Sequence, residues 1–327
     1  MRPSSRRALL ALLLLLPLAG IGSSGGCRSP ELSVAGAAPG ACADCHPEVA
    51  AEWAGSAHAR AWTSAEFQRT ADPSCFPCHA PAPLQGGGPL VARDAHRERG
   101  VDCQACHLDP AGALVGPFRA DPRRLTEAHP VRRDYFTYRT SRLCARCHET
   151  TREEAEELQP LLTGIALSCQ ECHMPAVTRK ITQGGDPITQ VETAISHPRL
   201  QRQHGFGGPA AHPEGHPLVE ATWTEEPDEA GGRRVAVRLA SRIPHRLPTG
   251  EQDRGAWVVS LAAQDAAGAE LARRELRLGR EDGTGLAPGA PKELQAALPP
   301  GTSRLVLLVS RADGGRVLLR EERPAGE

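Results

Sequence analysis

Hydrophobic positions fall into three regimes along the chain. The first is a single dense run, Ala8–Leu16, preceded by Arg2, Arg6 and Arg7 and followed by Ala19, Gly20 and the small residues 22–26. The run is too short to span a bilayer and has the layout of a secretory signal over residues 1–26. In the second regime, residues 41–217, apolar positions are sparse and their periodicity is local. Glu48–Trp62 reads as a helix, with Pro47 suited to its first turn and Val49, Trp53 and Ala57 on one face. Pro81, Pro83 and Gly86–Gly88 mark a loop, and Thr150 or Thr151 with Glu153 and Glu154 opens a short acidic helix ending at Pro160. The third regime begins near Leu218. Val235–Leu239, Trp257–Leu261, Leu271–Leu278, Arg304–Val309 and Arg316–Leu319 are short strand-like runs, with turn signals at Asp265–Gly268 and Asp313–Gly315. The pattern predicts a mainly α and irregular domain over 41–217, followed by a small antiparallel β-sandwich-like domain over 218–322.

Composition changes this picture in two ways. Lys+Arg is 38 and Asp+Glu 39, so the chain has no basic field to attract nucleic acid. Aromatic content is only 3%, low for a chain of 327 residues that must fill a core, so something other than side chains is expected to supply buried surface.

The cysteines indicate what that is. Ten of the 11 fall in five copies of C-x-x-C-H: Cys42, Cys45, His46; Cys75, Cys78, His79; Cys103, Cys106, His107; Cys144, Cys147, His148; Cys169, Cys172, His173. Two thiols at i and i+3 come together when the segment turns and form thioethers to one porphyrin, and the following His ligates the iron from one face. Zinc knuckles or disulfides are the alternatives, but neither requires a His after the second Cys. With 13 His in the chain, five such placements by chance come to roughly one in ten million. Five covalent haems c are therefore expected. The motif starts are unevenly spaced, which excludes a solenoid. Only about 35 residues of chain serve each motif, so the haems are expected to stack and form the core themselves.

Eight histidines stand outside the motifs, and each iron has a second axial position to fill. Met174 adjoins its own motif His173 and cannot reach the opposite face; apart from Met1 it is the only Met, so His/His ligation is expected. His58, beside the apolar face of the first predicted helix, is a distal candidate. His96 is a candidate through its nearness to the third motif. His212 and His216, in a Pro/Gly-rich loop, read as solvated, and His197 is open between spare and ligand.

Several of these residues carry a family resemblance. Cys42–His46 followed by Trp53, Ser56, His58 and Ala59 resembles the opening of multihaem cytochromes c related to the tetrahaem carrier of ammonia-oxidising bacteria, the cytochrome c-554-like family. Gly100-Val101-x-Cys103, Gly116-Pro117 leading to His129-Pro130, Cys169–Pro175, His204-x-Phe206-x-Gly208 and His245–Gly250 continue the likeness across most of residues 41–265. The resemblance implies that His58, His129 and His204 are distal ligands and that His245 reaches a haem from the following domain. Relatives include both carriers and haem enzymes, so the resemblance alone does not decide catalysis.

The reading is thus an exported pentahaem electron carrier serving other redox proteins or a membrane electron-transfer complex. The alternative is a haem reductase with one open iron acting on a small nitrogen or sulfur compound; no motif carries Lys in place of His, the feature of the catalytic haem in pentahaem nitrite reductases. A third class is a structural subunit docked to a membrane complex. Gly26-Cys27 resembles a lipoprotein signal, although Ser24 stands where such signals place Leu, and residues 27–40 read as a flexible tether. Periplasmic or outer-surface location, with Cys27 as a possible lipid anchor, is the expectation.

Overall fold

The computed structural model describes residues 39–118, 129, 131–162, 167–185, 187–208, 215–228, 232–249, 257–279, 283–312 and 314–326. The expected signal, Cys27, the tether through residue 38, and His212 lie outside the described residues. Among those described, no helix is long and apolar enough to cross a membrane.

The first part of the chain is built from short helices joined by turns: α1 (Pro39–Cys45), α2 (Pro47–Ala54), α3 (Ala65–Thr70), α4 (Phe76–His79), α5 (Cys103–His107), α6 (Arg142–Ala145), α7 (Glu149–Leu158), α8 (Cys169–His173) and α9 (Pro187–Ile195). Two small strand pairs interrupt them. β1 (Leu114–Gly116) runs parallel to β2 (Val131–Arg133), and β3 (Ala176–Arg179) antiparallel to β4 (Arg199–Arg202). The predicted helix Glu48–Trp62 is corrected to α2 alone. Gly55 donates its N–H to the Ala51 carbonyl and closes the helix, and the chain then turns through residues 55–63. Trp53 Nε1 donates to the Val101 carbonyl at 2.8 Å, and the Val101 N–H donates to the His58 carbonyl at 3.0 Å. Gly100 makes that approach possible: its φ is 59°, and a Cβ there would collide with the His58 carbonyl. His58 is thereby fastened beside the third motif on a turn rather than on a helix.

The last part holds two antiparallel sheets. One has the order β5 (Val219–Pro227), β6 (Arg233–Ser241), β9 (Lys292–Leu298). The other has the order β11 (Val317–Pro324), β10 (Arg304–Arg311), β7 (Trp257–Gln264), β8 (Glu270–Leu278). Alternate residues Val235, Val237 and Leu239 of β6 and Leu305, Leu307 and Val309 of β10 are fully buried, so the two sheets share one apolar cluster. The sequence reading anticipates β6, β7, β8, β10 and β11 but not β5 or β9. The β9 run, Lys-Glu-Leu-Gln-Ala-Ala-Leu, consists of good helix formers, and pairing with β6 overrides that preference.

Candidate haem-binding site

Each C-x-x-C-H segment closes as a helical turn that puts its two sulfurs on one side. His46 and His148 donate their backbone N–H to the first Cys carbonyl of their own motifs, at 2.9 and 3.0 Å. Local caps start these turns. Asp102 accepts from the Ala105 N–H at the head of α5, and Ser168 with Glu171 forms a capping box on α8. Asp102 itself is held by Arg93 through two hydrogen bonds of 2.8 and 2.9 Å. None of the ten motif cysteines is in a disulfide, and among the described residues no three His, Cys, Asp or Glu side chains converge as a metal cage.

The motif histidines share a second feature. Nδ1 of His46 lies 2.7 Å from the Ile181 carbonyl, that of His79 2.6 Å from Ala61, and that of His107 3.0 Å from Val115; His173 bonds the Phe206 backbone. A carbonyl can only accept, so in His46, His79 and His107 Nδ1 carries the proton and Nε2 keeps a lone pair. His204 and His245 are fixed in the same way, on the Arg202 and Arg246 carbonyls at 3.0 and 2.9 Å.

These rings meet in pairs. The ring centres of His46 and His129 are 6.4 Å apart, His58 and His148 6.2 Å, His107 and His204 6.3 Å, and His173 and His245 6.3 Å. Each pair joins a motif histidine to one from elsewhere in the sequence. With metal–nitrogen bonds of about 2.0–2.1 Å and ring centres about 1.1 Å behind each nitrogen, two imidazoles on opposite sides of one metal have centres about 6.3 Å apart. The spacing therefore fits an iron between the two rings, and the donor set fits haem c. Burial is the main cause holding His58, His173 and His204 down to about 4, with neighbouring imidazoles adding to it, so these rings are neutral and able to ligate.

His96 is corrected. It sits at φ 58° ahead of the turn Arg97–Arg99, and its side chain is 60% exposed and 3.4 Å from Glu98. The left-handed backbone sends the imidazole to solvent, so it faces no motif histidine. His79 consequently has a different neighbour: Phe67 lies flat on its ring at 4.0 Å, with Phe76 and Trp62 completing an aromatic wall.

Motifs distant in sequence approach one another through sulfur. The Cys42 sulfur lies close enough to that of Cys103 to influence it, as does Cys78 to Cys147 and Cys169 to Cys144.

Several supporting residues have no signature in the sequence. Glu52 accepts from Arg179 at 2.6 Å and from the His204 backbone N–H at 2.8 Å, which fixes the loop carrying His204. The Tyr138 ring stacks on His107 with its hydroxyl 3.1 Å from Nδ1, and that hydroxyl lies 2.7 Å from both the Val115 and Cys106 carbonyls, to either of which its one proton can be donated. Buried Glu154 on α7 accepts from the Arg246 N–H at 3.3 Å and the Thr249 hydroxyl at 2.6 Å. That contact holds the His245 loop against the haem-motif region, while Leu247 and Leu286 exchange backbone hydrogen bonds that tie the same loop to the sheets. Each of these meets a partner distant in sequence, so no local pattern could have singled them out.

Comparison with known proteins follows the same lines. Residues 41–108 match the family model described as cytochrome c554 and c-prime. A penta-heme cytochrome c552 from Thermochromatium tepidum shares the fold: TM-score 0.59 and 19% identity over 89% of this chain and 99% of that one. A putative beta-galactosidase from Bacteroides fragilis aligns at TM-score 0.22 and 12% identity over 34% of this chain and 16% of that one, too little to argue from. A search of curated proteins found no match. The segment carrying the first three motifs is thus similar to the cytochrome c554 and c-prime family, and the chain as a whole is similar in fold to a penta-heme cytochrome c552.

Proposed function

We propose that the chain is an exported electron carrier holding five covalent haems, four of them between paired histidines. The observation that carries this reading is the recurrence of one spacing, 6.2–6.4 Å, in four His–His pairs built from unrelated parts of the sequence. Bound haem would supply the one-electron iron couple, with two imidazoles setting it below the potential of His/Met ligation. The chain's residues decide where those couples sit. Cys42, Cys45, Cys75, Cys78, Cys103, Cys106, Cys144, Cys147, Cys169 and Cys172 attach them. His46, His79, His107, His148 and His173 ligate from one side, and His129, His204, His58 and His245 from the other. The sulfur contacts bring motif one to motif three, and motif four to both two and five, so the fourth attachment point is a junction rather than a step in numerical order. The C-terminal sheets form a β-sandwich that both caps the array and supplies His245. Export by the residue 1–26 signal, a lipid anchor at Cys27, and a periplasmic or outer-surface setting complete the reading. Partners would be other redox proteins or a membrane complex.

His58→Ala in the mature holoprotein tests it. The expected result is loss of one low-spin haem equivalent by electron paramagnetic resonance and gain of one high-spin haem, with an intact mass still carrying five haems. An unchanged spectrum removes His58 from the ligand set, and a colourless protein defeats the reading altogether.

One observation favours the reductase alternative. Among the described residues the ring stacked on His79 is that of Phe67 and no histidine ring is paired with it, so on this second reading its iron would keep an open face. Carbon monoxide titration of the reduced wild type should then saturate at one haem per chain; no binding at all would sink this second reading.

A further inference from the structure

Residues 133–142 set an exposed cluster of arginine and aromatic side chains directly ahead of the fourth motif. Tyr135, 48% exposed, lies between Arg133 and Arg139, whose guanidinium carbons stand 5.1 and 5.0 Å from its ring centre. Phe136, 55% exposed, carries Arg142 at 4.6 Å. The nearby opposite charges are engaged elsewhere. Asp109 meets Arg132 at 3.3 Å, and Asp134 accepts from the Thr137 N–H and hydroxyl at 3.0 and 2.7 Å. Three positive charges on an aromatic base are thus presented to solvent by a chain whose net charge is only −1.

We propose that this patch docks an acidic redox protein, an inference that rests on the carrier reading above. Three arguments converge. Arg, Tyr and Phe are the residue types enriched at interface centres, where their rigid, amphipathic surfaces bind at low entropic cost. A local positive field on a near-neutral molecule orients an acidic partner during encounter, and transient electron-transfer contacts need only a small area. The position is the third. Arg142 begins α6, two positions before Cys144, a rise of about 3 Å along the helix. Thr140 and Ser141 accept from Gln170 Nε2 at 2.7 Å and the Cys169 N–H at 3.1 Å. The patch therefore lies over the contact between motifs four and five, the junction of the array.

The test uses the full-length holoprotein and oxidised flavodoxin, a strongly acidic FMN protein, as the probe. Wild type should bind it at about 0.01 M ionic strength and lose that binding by about 0.15 M. The triple variant Arg133→Glu, Arg139→Glu, Arg142→Glu should weaken the Kd about tenfold or more, and the matching Gln triple by a smaller factor. A control with the same charge change on the sheets, Arg238→Glu, Arg274→Glu, Arg277→Glu, should stay within about twofold. Equal weakening by both Glu triples would assign the effect to whole-molecule charge and overturn the proposal. So would absence of wild-type binding, or loss of binding to phosphatidylglycerol vesicles with flavodoxin affinity intact. A changed haem spectrum with an unchanged Kd would overturn it as well, assigning the arginines to haem propionates. Haem count, read separately by intact mass, judges the carrier reading independently of the Kd.

Discussion

In residues 218–326 apolar side chains bury one another, whereas in residues 39–208 buried apolar side chains are few and the ten motif cysteines are only half-buried. The two sheets close over a continuous cluster running from Leu218 to Val309, with Val235, Leu239, Leu305 and Leu307 fully buried. Among the described residues of the first region, the buried apolar side chains are Phe67, Ala80, Leu84, Ala105, Leu108, Val115 and Leu158, small or scattered between short helices. A helix of four to ten residues is not stable by itself and needs an apolar body to pack on. The comparison teaches that one region can fold on its own side chains, and the other is a set of turns waiting for porphyrin.

The largest effect that can test this contrast is removal of haem. Produced without haem attachment, the chain should lose amide protection throughout residues 39–208 and be cleaved there by protease, leaving a resistant fragment spanning the sheets. Equal protection in both regions would break the comparison. Next in size, Leu307→Ala opens a cavity in the sheet core and should cost about 2–5 kcal/mol in denaturant unfolding of that region. The low-spin spectrum should be unchanged at low denaturant, because the metal ligands of the first region do not depend on that side chain. A smaller effect is expected where the regions meet. Glu154→Ala removes the acceptor for Arg246 and Thr249 and should weaken docking of the His245 loop by about 1–3 kcal/mol. It would be read as a temperature-dependent fraction of one high-spin haem. A fully low-spin variant at every temperature would show that His245 is held by the sheets alone.

Much of the site was legible because haem attachment is written in consecutive residues. Five motifs give the cysteines and their histidines without any knowledge of the fold. Of the histidines that face motif rings, His58 could be singled out beside the predicted helix and His129, His204 and His245 only through resemblance, whereas His96, singled out by nearness in sequence, is turned to solvent by its left-handed backbone. In the same way α2 stops at Gly55, and β9 forms from helix-favouring residues because β6 offers it a hydrogen-bonding edge.

What the sequence determined by itself was therefore local: the spacing of sulfurs, the histidine beside each pair, the alternation of the last strands, and the shortage of aromatic side chains. Tertiary structure alone decided which histidine faces which, that Cys42 meets Cys103 and Cys144 meets Cys169, and that Glu154 holds the His245 loop in place. The physical reason is range. Thioether attachment needs groups a single turn apart, whereas the six-coordination proposed above needs pairs such as His58 and His148 or His107 and His204, which only the folded chain brings together.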